Sequence, residues 1–248
     1  MLKRKIYLIL LPLLVGFLIS QAVSAAGDLP GSENSPVITK SYAEKVLQPL
    51  RDQVGSLQAE VMELKEAADK PMFIDLPLTH WAYNDVKYMI DHQIMSGLGA
   101  EKFGPDIPAR RVDMAVSLVK ALRLPLTGAQ SKFKDVPQST WSYVYVAAAQ
   151  KAGIISGFPG GYFKPNDYVT RGQAAAMLTK AYSLQLTGNA GDFTDVPKTY
   201  WAYEVIQKLA DNNISKGFED KTFRPSILVR RAEVAVLLAK AMDPARRN

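Results

Sequence analysis

Phe163-Lys164-Pro165-Asn166-Asp167-Tyr168-Val169-Thr170-Arg171-Gly172-Gln173 has two counterparts in the same chain. A shift of 60 residues lays the sequence on itself without a gap: Phe73, Phe133 and Phe193 coincide, as do Asp75, Asp135 and Asp195. The three tryptophans, Trp81, Trp141 and Trp201, fall on one another, followed by Tyr83, Tyr143 and Tyr203. Gly97, Gly157 and Gly217 follow, then Phe103, Phe163 and Phe223, then Pro105, Pro165 and Pro225, and finally Arg111, Arg171 and Arg231. Coincidence at so many rare residue types means three copies of one unit.

Each copy carries two helical patterns around a proline-containing loop. Thr79, Ser139 or Thr199 is placed to start the first, whose apolar positions (Trp201, Val205, Ile206, Leu209, Ala210) recur at helical spacing. Gly97, Gly157 and Gly217 are expected where that helix stops. Proline at 105, 165 and 225 excludes helix from the loop. The second helix is expected to begin near Arg111, Arg171 or Arg231, with Met114, Ala115, Leu118, Val119 and Leu122 as its apolar face in the first copy. A two-helix unit of this size cannot hide its apolar face alone, so the three must pack together. Periodicity does not decide between an open stack and a closed ring.

These motifs, an opening F-x-D, a W-A-Y-like helix start, the Gly157-to-Pro165 pattern G-F-x-x-x-x-F-x-P and a T-R-A-E-like second start, resemble those of the S-layer homology (SLH) repeat. The resemblance runs from Pro71 to Asp243. It implies an all-α fold in which three helix-loop-helix repeats of 60 residues close into a pseudo-threefold spindle, with grooves where neighbours meet. It also implies a non-catalytic envelope protein, secreted to the cell wall or S-layer. Such a protein anchors there by binding an anionic, often pyruvylated, secondary wall polysaccharide or a peptidoglycan-linked polymer. In the family the arginine of the second helix start holds that glycan, which points here to Arg111, Arg171 and Arg231.

The residues carry their own argument beside the resemblance. Thr170 with Gln173 is a capping pattern, and Asp113 and Glu233 suit a helix N-terminus. Capping does not call for a cation in the first turn. An arginine there, beside free backbone N–H groups, suits an external anion or a partner carboxylate. Asp75, Asp135 and Asp195 precede Pro77, Pro137 and Pro197 and fit turn residues or acceptors for sugar hydroxyls. Trp81, Trp141 and Trp201 fit either core or a stacking platform, and Gly97, Gly157 and Gly217 either helix stops or close ligand approach. Repeat 1 departs from the pattern, with Gly97-Leu98-Gly99 in its loop and Arg110 in the threonine slot, whereas repeat 3 has Arg230 there. Repeats 2 and 3 are therefore expected to dominate binding.

The flanks divide as residues 1–26, 27–40, 41–70, the repeats 71–130, 131–190 and 191–243, and a basic tail 244–248. Lys3-Arg4-Lys5, the apolar run Ile6 to Ile19 and Val23-Ser24-Ala25-Ala26 read as a signal peptide removed after Ala25 or Ala26, so no stable membrane insertion is expected. Residues 27–40 read as a flexible linker. Leu47, Leu50, Val54, Leu57, Val61, Leu64 and Ala68 then step by 3 and 4 behind a Ser41–Glu44 capping pair. That is a short helix or coiled coil, read either as packed against the repeats or as joining copies of the chain through residues 41–68.

Composition excludes other classes. The formal charge is +6, and losing Lys3, Arg4 and Lys5 lowers it to +3, with no phosphate-binding stripe for nucleic acid. With no cysteine and only His80 and His92, disulfides, thiolate metal sites and thiol catalysis are out, and neither metal nor cofactor is expected. An envelope-associated wall hydrolase and a helical protein-binding module stand as alternatives. Each candidate carboxylate pair recurs threefold or lies in the linker, and the 60-residue period with its proline loop departs from tetratricopeptide arrays.

Overall fold

The computed structural model describes residues 40–68, 70–188 and 191–247. The expected signal segment 1–26 and the linker up to its last residue lie outside the described residues. Two compact units are present, one ending at Asp69 and one beginning at Lys70. In the first, α1 runs from Lys40 to Ala68 with Pro49 inside it. Ser41 is thus within the helix rather than ahead of it. Leu47, Val54, Val61 and Leu64 are exposed, and Leu50 and Leu57 half-buried. Among the described residues no helix is long and apolar enough to cross a membrane.

The second unit carries α2 (Tyr83–Asp91), α3 (Arg111–Ala121), α4 (Tyr143–Lys151), α5 (Arg171–Ala181), α6 (Tyr203–Asp211), α7 (Arg231–Met242) and a 3-10 turn at Pro244–Arg246. The all-α class holds: among the described residues the regular elements are helices, with isolated backbone bridges and no strand. The second helix of each repeat starts at its arginine, as expected.

The first helices differ from expectation at both ends. They begin at the tyrosines, with Ala82, Ser142 and Ala202 as N-caps, so Thr79, Ser139 and Thr199 do not cap them. The intervening residues form a turn, His80 N–H to Pro77 O and its counterparts, that carries the tryptophan ahead of the helix. At the other end the helix stops at Gln93, Gly153 and Asn213, which take left-handed φ of 59°, 72° and 55°. The next N–H reaches back six residues inclusive, as Ile94 N–H to Met89 O at 2.9 Å, and a buried isoleucine seals the end. Gly97, Gly157 and Gly217 lie four residues further on. Their need is steric: a Cβ at Gly97 meets the Phe73 ring and the Lys102 carbonyl within 2.8 Å, and the other two meet Phe133 and Phe193 likewise.

Packing runs between repeats. Each second helix lies on the first helix of the following repeat, α3 on α4 and α5 on α6, and α7 returns to α2. The second helices also touch one another and are buried along most of their length. Where their starts meet, Ala109, Val169 and Val229 pass hydrogen bonds around a circle. Val169 N–H donates to Ala109 O, Ala109 N–H to Val229 O and Val229 N–H to Val169 O, each at 2.9 Å. Phe103, Phe163 and Phe223 are almost fully buried beside Phe73, Phe133 and Phe193, with ring centroids 5.3–5.7 Å apart. The C-terminus is tied down as well: Arg246 donates to Asp85 at 2.7 Å and lies over the Tyr88 ring.

Candidate functional site

The three arginines are 5–7% exposed, so each is first a structural residue. Their backbone N–H groups are not free. Arg111 donates to Asp167 O, Arg171 to Ile227 O and Arg231 to Ile107 O, each at 2.9 Å. The next residue in each case donates to Pro165, Pro225 or Pro105. The helix starts therefore dock on the following repeat and leave those donors unavailable to an anion, contrary to the sequence expectation. Only α5 has the full side-chain box, with Thr170 accepting from Gln173 N–H and Gln173 accepting from Thr170 N–H. At α7 Glu233 accepts from Arg230 N–H, but arginine has no acceptor to return the bond.

The side chains rivet the repeats in the same sense. Nε of Arg111 donates to Phe163 O, that of Arg171 to Phe223 O and that of Arg231 to Phe103 O, each at 2.9 Å. Aromatic faces line the guanidinium groups: Phe158 and Phe163 for Arg111, Phe218 and Phe223 for Arg171, but Phe103 for Arg231. Repeat 1 has Leu98 where the others have a second phenylalanine. Burial lowers the pKa of all three, opposed by Asp167 and Asp135 at Arg111, by Glu233 at Arg171 and by Asp113 at Arg231. Arginine keeps its charge in a protein, so all three act as donors.

The third nitrogen separates the copies. Arg111 uses Nη2 on Ser156 O at 3.0 Å, and Arg231 uses Nη2 on Ser96 O at 2.6 Å. Among the described residues nothing pairs with Nη1 of either. In Arg171 that nitrogen donates to Glu233 at 2.7 Å, a largely buried ion pair, and it is Nη2 that has no partner among the described residues.

Asp75, Asp135 and Asp195 take a positioning role. Asp135 accepts from Phe163 and Lys164 N–H at 2.8 and 2.7 Å, and Asp75 and Asp195 do the same at residues 103–104 and 223–224. The aspartate thus fixes the phenylalanine whose carbonyl holds the arginine of the preceding repeat. Arg and Asp meet through that backbone, with no direct ion pair between them among the described residues. The amides so held at Lys164 and Arg224 lie at left-handed φ of 58° and 57°, which a non-glycine residue adopts at a cost of about 1 kcal/mol.

Trp81, Trp141 and Trp201 are 65%, 65% and 63% exposed, which removes the core reading. Trp201 shares a cleft with Arg111, Ser156, Gly157, Gln173 and Lys180. Trp141 shares one with Arg231, Ser96, Asp113 and Lys120. Trp81 faces Glu233, Arg230, Arg224 and Phe218. The two arginine clefts have volumes of about 200 and 120 Å³, below the usual range for an engulfed small molecule and suited to a ligand lying across them. Each combines residues from three repeats. The departures of repeat 1 therefore bear on the cleft of Arg231, while the cleft of Arg111 takes its loop from repeat 2. Asp113 in the Arg231 cleft is neutralised by Arg110, at 2.9 and 3.1 Å, which gives the arginine in the threonine slot a role.

Lys120 and Lys180 were missed from sequence, although Lys120, Lys180 and Lys240 recur at the same 60-residue spacing. Lys180 donates to the Ser156 hydroxyl at 3.0 Å, which holds its charge at the cleft.

The profile of the S-layer homology domain matches the chain at residues 73–115, 132–175 and 192–235, just over half of its length. The chain is 32% identical over 204 residues to an S-layer protein of Bacillus licheniformis, a match spanning 81% of this chain and 23% of that protein. It is 28% identical over 173 residues to an endoglucanase of Bacillus sp. (strain KSM-635), covering 67% and 18% of the two chains. It is 29% identical over 140 residues to the cellulosome-anchoring protein of Acetivibrio thermocellus, covering 54% and 31%. The chain thus spans less than a third of the length of each of these relatives. With three matched repeats in tandem, it belongs to the S-layer homology domain family.

Proposed function

We propose that the chain anchors at the cell wall by non-catalytic binding of an anionic wall polysaccharide, read chiefly in the clefts of Arg111 and Arg231. Family membership places the protein at the cell wall or S-layer. The observation that carries the rest is a grouping repeated in two clefts. A guanidinium nitrogen without a protein partner, a lysine and a tryptophan about two-thirds exposed lie together. Cationic donors suit a carboxylate or pyruvyl group, and an indole face suits the apolar face of a pyranose ring. In the remaining position the Glu233 carboxylate neutralises Arg171, so that site offers less net positive charge to an anion even though Nη2 is unpaired among the described residues. This revises the sequence expectation that Arg171 and Arg231 dominate.

The relatives named as S-layer protein, endoglucanase and cellulosome-anchoring protein differ in activity while sharing a region with this chain, which supports anchoring as the common property. The recurring aspartates have both oxygens engaged by backbone amides, which suits positioning rather than acid–base chemistry.

The test uses exposed residues whose loss spares the core. Trp141→Ala with Trp201→Ala should weaken sedimentation with purified sacculi by about tenfold or more, as expected for aromatic anchors, at unchanged melting temperature. Trp81→Ala should change it least. Removing the acidic secondary polymer from the sacculi should abolish retention of the unaltered protein. A double variant that sediments normally would overturn the assignment of these clefts.

A further inference from the structure

We infer that α1 is a parallel two-stranded coiled-coil stalk that pairs two copies of this chain. Over residues 47–65 six exposed or half-buried apolar residues form one seam, Leu47, Val54 and Val61 alternating with Leu50, Leu57 and Leu64, while Ala59 and Met62 lie off it. In heptad terms the first series is a and the second d. Valine at two of the three a positions with leucine at every d favours two strands over three or four.

Charge chooses the orientation. Glu60 occupies a g position and Lys65 the e position five residues on, both exposed. In a parallel pair g of one strand faces the following e of the other, so Glu60 meets the Lys65 of the second copy, twice per dimer. In an antiparallel pair e faces e and g faces g, and both contacts are lost. Among the described residues neither side chain has an ion-pair partner within its own chain. The two helix-weakening residues also fit. Pro49 and Gly55 fall at outer positions c and b, off the seam. The occupant of the apolar seam is therefore the same helix of another copy. A pair of repeat units on one stalk then holds a polymeric ligand with an avidity that a single unit lacks.

The absence of cysteine gives a clean test. Light scattering of the protein as its host processes it should give twice the chain mass at micromolar concentration. Leu57→Asp should give the single mass, with circular dichroism showing the repeat unit still folded. Leu64→Cys should cross-link to itself under oxidation, because like positions meet in a parallel pair. In an antiparallel pair the seam brings Leu64 opposite Leu47 or Val54, leaving the two introduced thiols about 15 Å or more apart at 1.5 Å per residue. Glu60→Lys should weaken the dimer by about fivefold or more, and adding Lys65→Glu to it should restore the affinity. A single mass for the unaltered protein, a threefold mass, or failure of Leu64→Cys to cross-link would each overturn the proposal.

Discussion

Replacing each buried arginine by methionine should rank the three copies one way in stability and the opposite way in wall binding. Methionine keeps an apolar stem against the phenylalanines and removes the fork. Arg111→Met loses two bonds to carbonyls, at 2.9 and 3.0 Å. Hydrogen bonds from a charged donor contribute about 1.5–3 kcal/mol each. Part of that returns, because the buried guanidinium no longer has to be desolvated, and a net loss of about 2–4 kcal/mol remains. In a unit of this size each kcal/mol moves the melting temperature by about 2–4 °C, so the variant should melt roughly 4–16 °C lower. Arg171→Met loses its carbonyl bond and strands Glu233, which is 19% exposed, and breaking such a pair costs about 3–5 kcal/mol. Arg171→Met should therefore melt lowest. Sacculus sedimentation below all the melting points should invert the order. Arg111→Met and Arg231→Met should lose about ten- to a hundredfold in affinity, the equivalent of one charged contact, while Arg171→Met loses least. If binding losses follow melting losses across the three variants, the arginines act on the wall only through the fold, and the open guanidinium edge is not what the polymer reads.

Tyr182 has a buried hydroxyl without a partner among the described residues, and burial pushes its pKa up to about 12. Tyr182→Phe should raise stability by about 1 kcal/mol, read as a higher denaturation midpoint. Asp135→Ala should release the Phe163 and Lys164 amides and loosen the Arg111 cleft, lowering the melting temperature, and adding Lys164→Gly should recover part of the loss. The Asp220 carboxyl, held by the Thr222 hydroxyl and Arg224, is pushed down to about 2. Its contribution is present above the ordinary carboxylate range and is lost as pH falls toward 2, so a carbon-detected NMR titration should find its midpoint there.

The repeat, the all-α class and the start of each second helix were legible because rare residues at one fixed period leave little freedom. The ends of the first helices were not. Trp81 and its counterparts look like helix positions, yet the turn closed on Pro77 holds them outside, and Gln93 and Asn213 take a conformation more often given to glycine. The role of Asp75, Asp135 and Asp195 was hidden because their partners lie 28 and 29 residues along the chain. The recurrence of the arginine marked it as important, while its burial against the next repeat depends on packing that no local pattern displays. Grooves assembled from three repeats also defeat judging one repeat at a time, which is why repeat 1 looked weak and Arg111 proves open.

The circle of contacts has a consequence for how the chain comes to be folded. Its last links join distant residues: Arg231 to the Phe103 carbonyl across 128 positions, and Arg246 to Asp85 across 161. A chain emerging from its N-terminus meets those partners only when residues 223–246 appear. Until then Ala109 lacks the carbonyl of Val229, Arg171 that of Phe223, and α2 the cover of α7. Contacts of such long separation come late and together, since loop closure must precede the burial that rewards it. The repeats thus fold as one cooperative body, unlike an open solenoid that can be shortened from an end. A nascent chain that stays unfolded until its last repeat is through suits passage across a membrane in extended form, with folding deferred to the side where the wall lies.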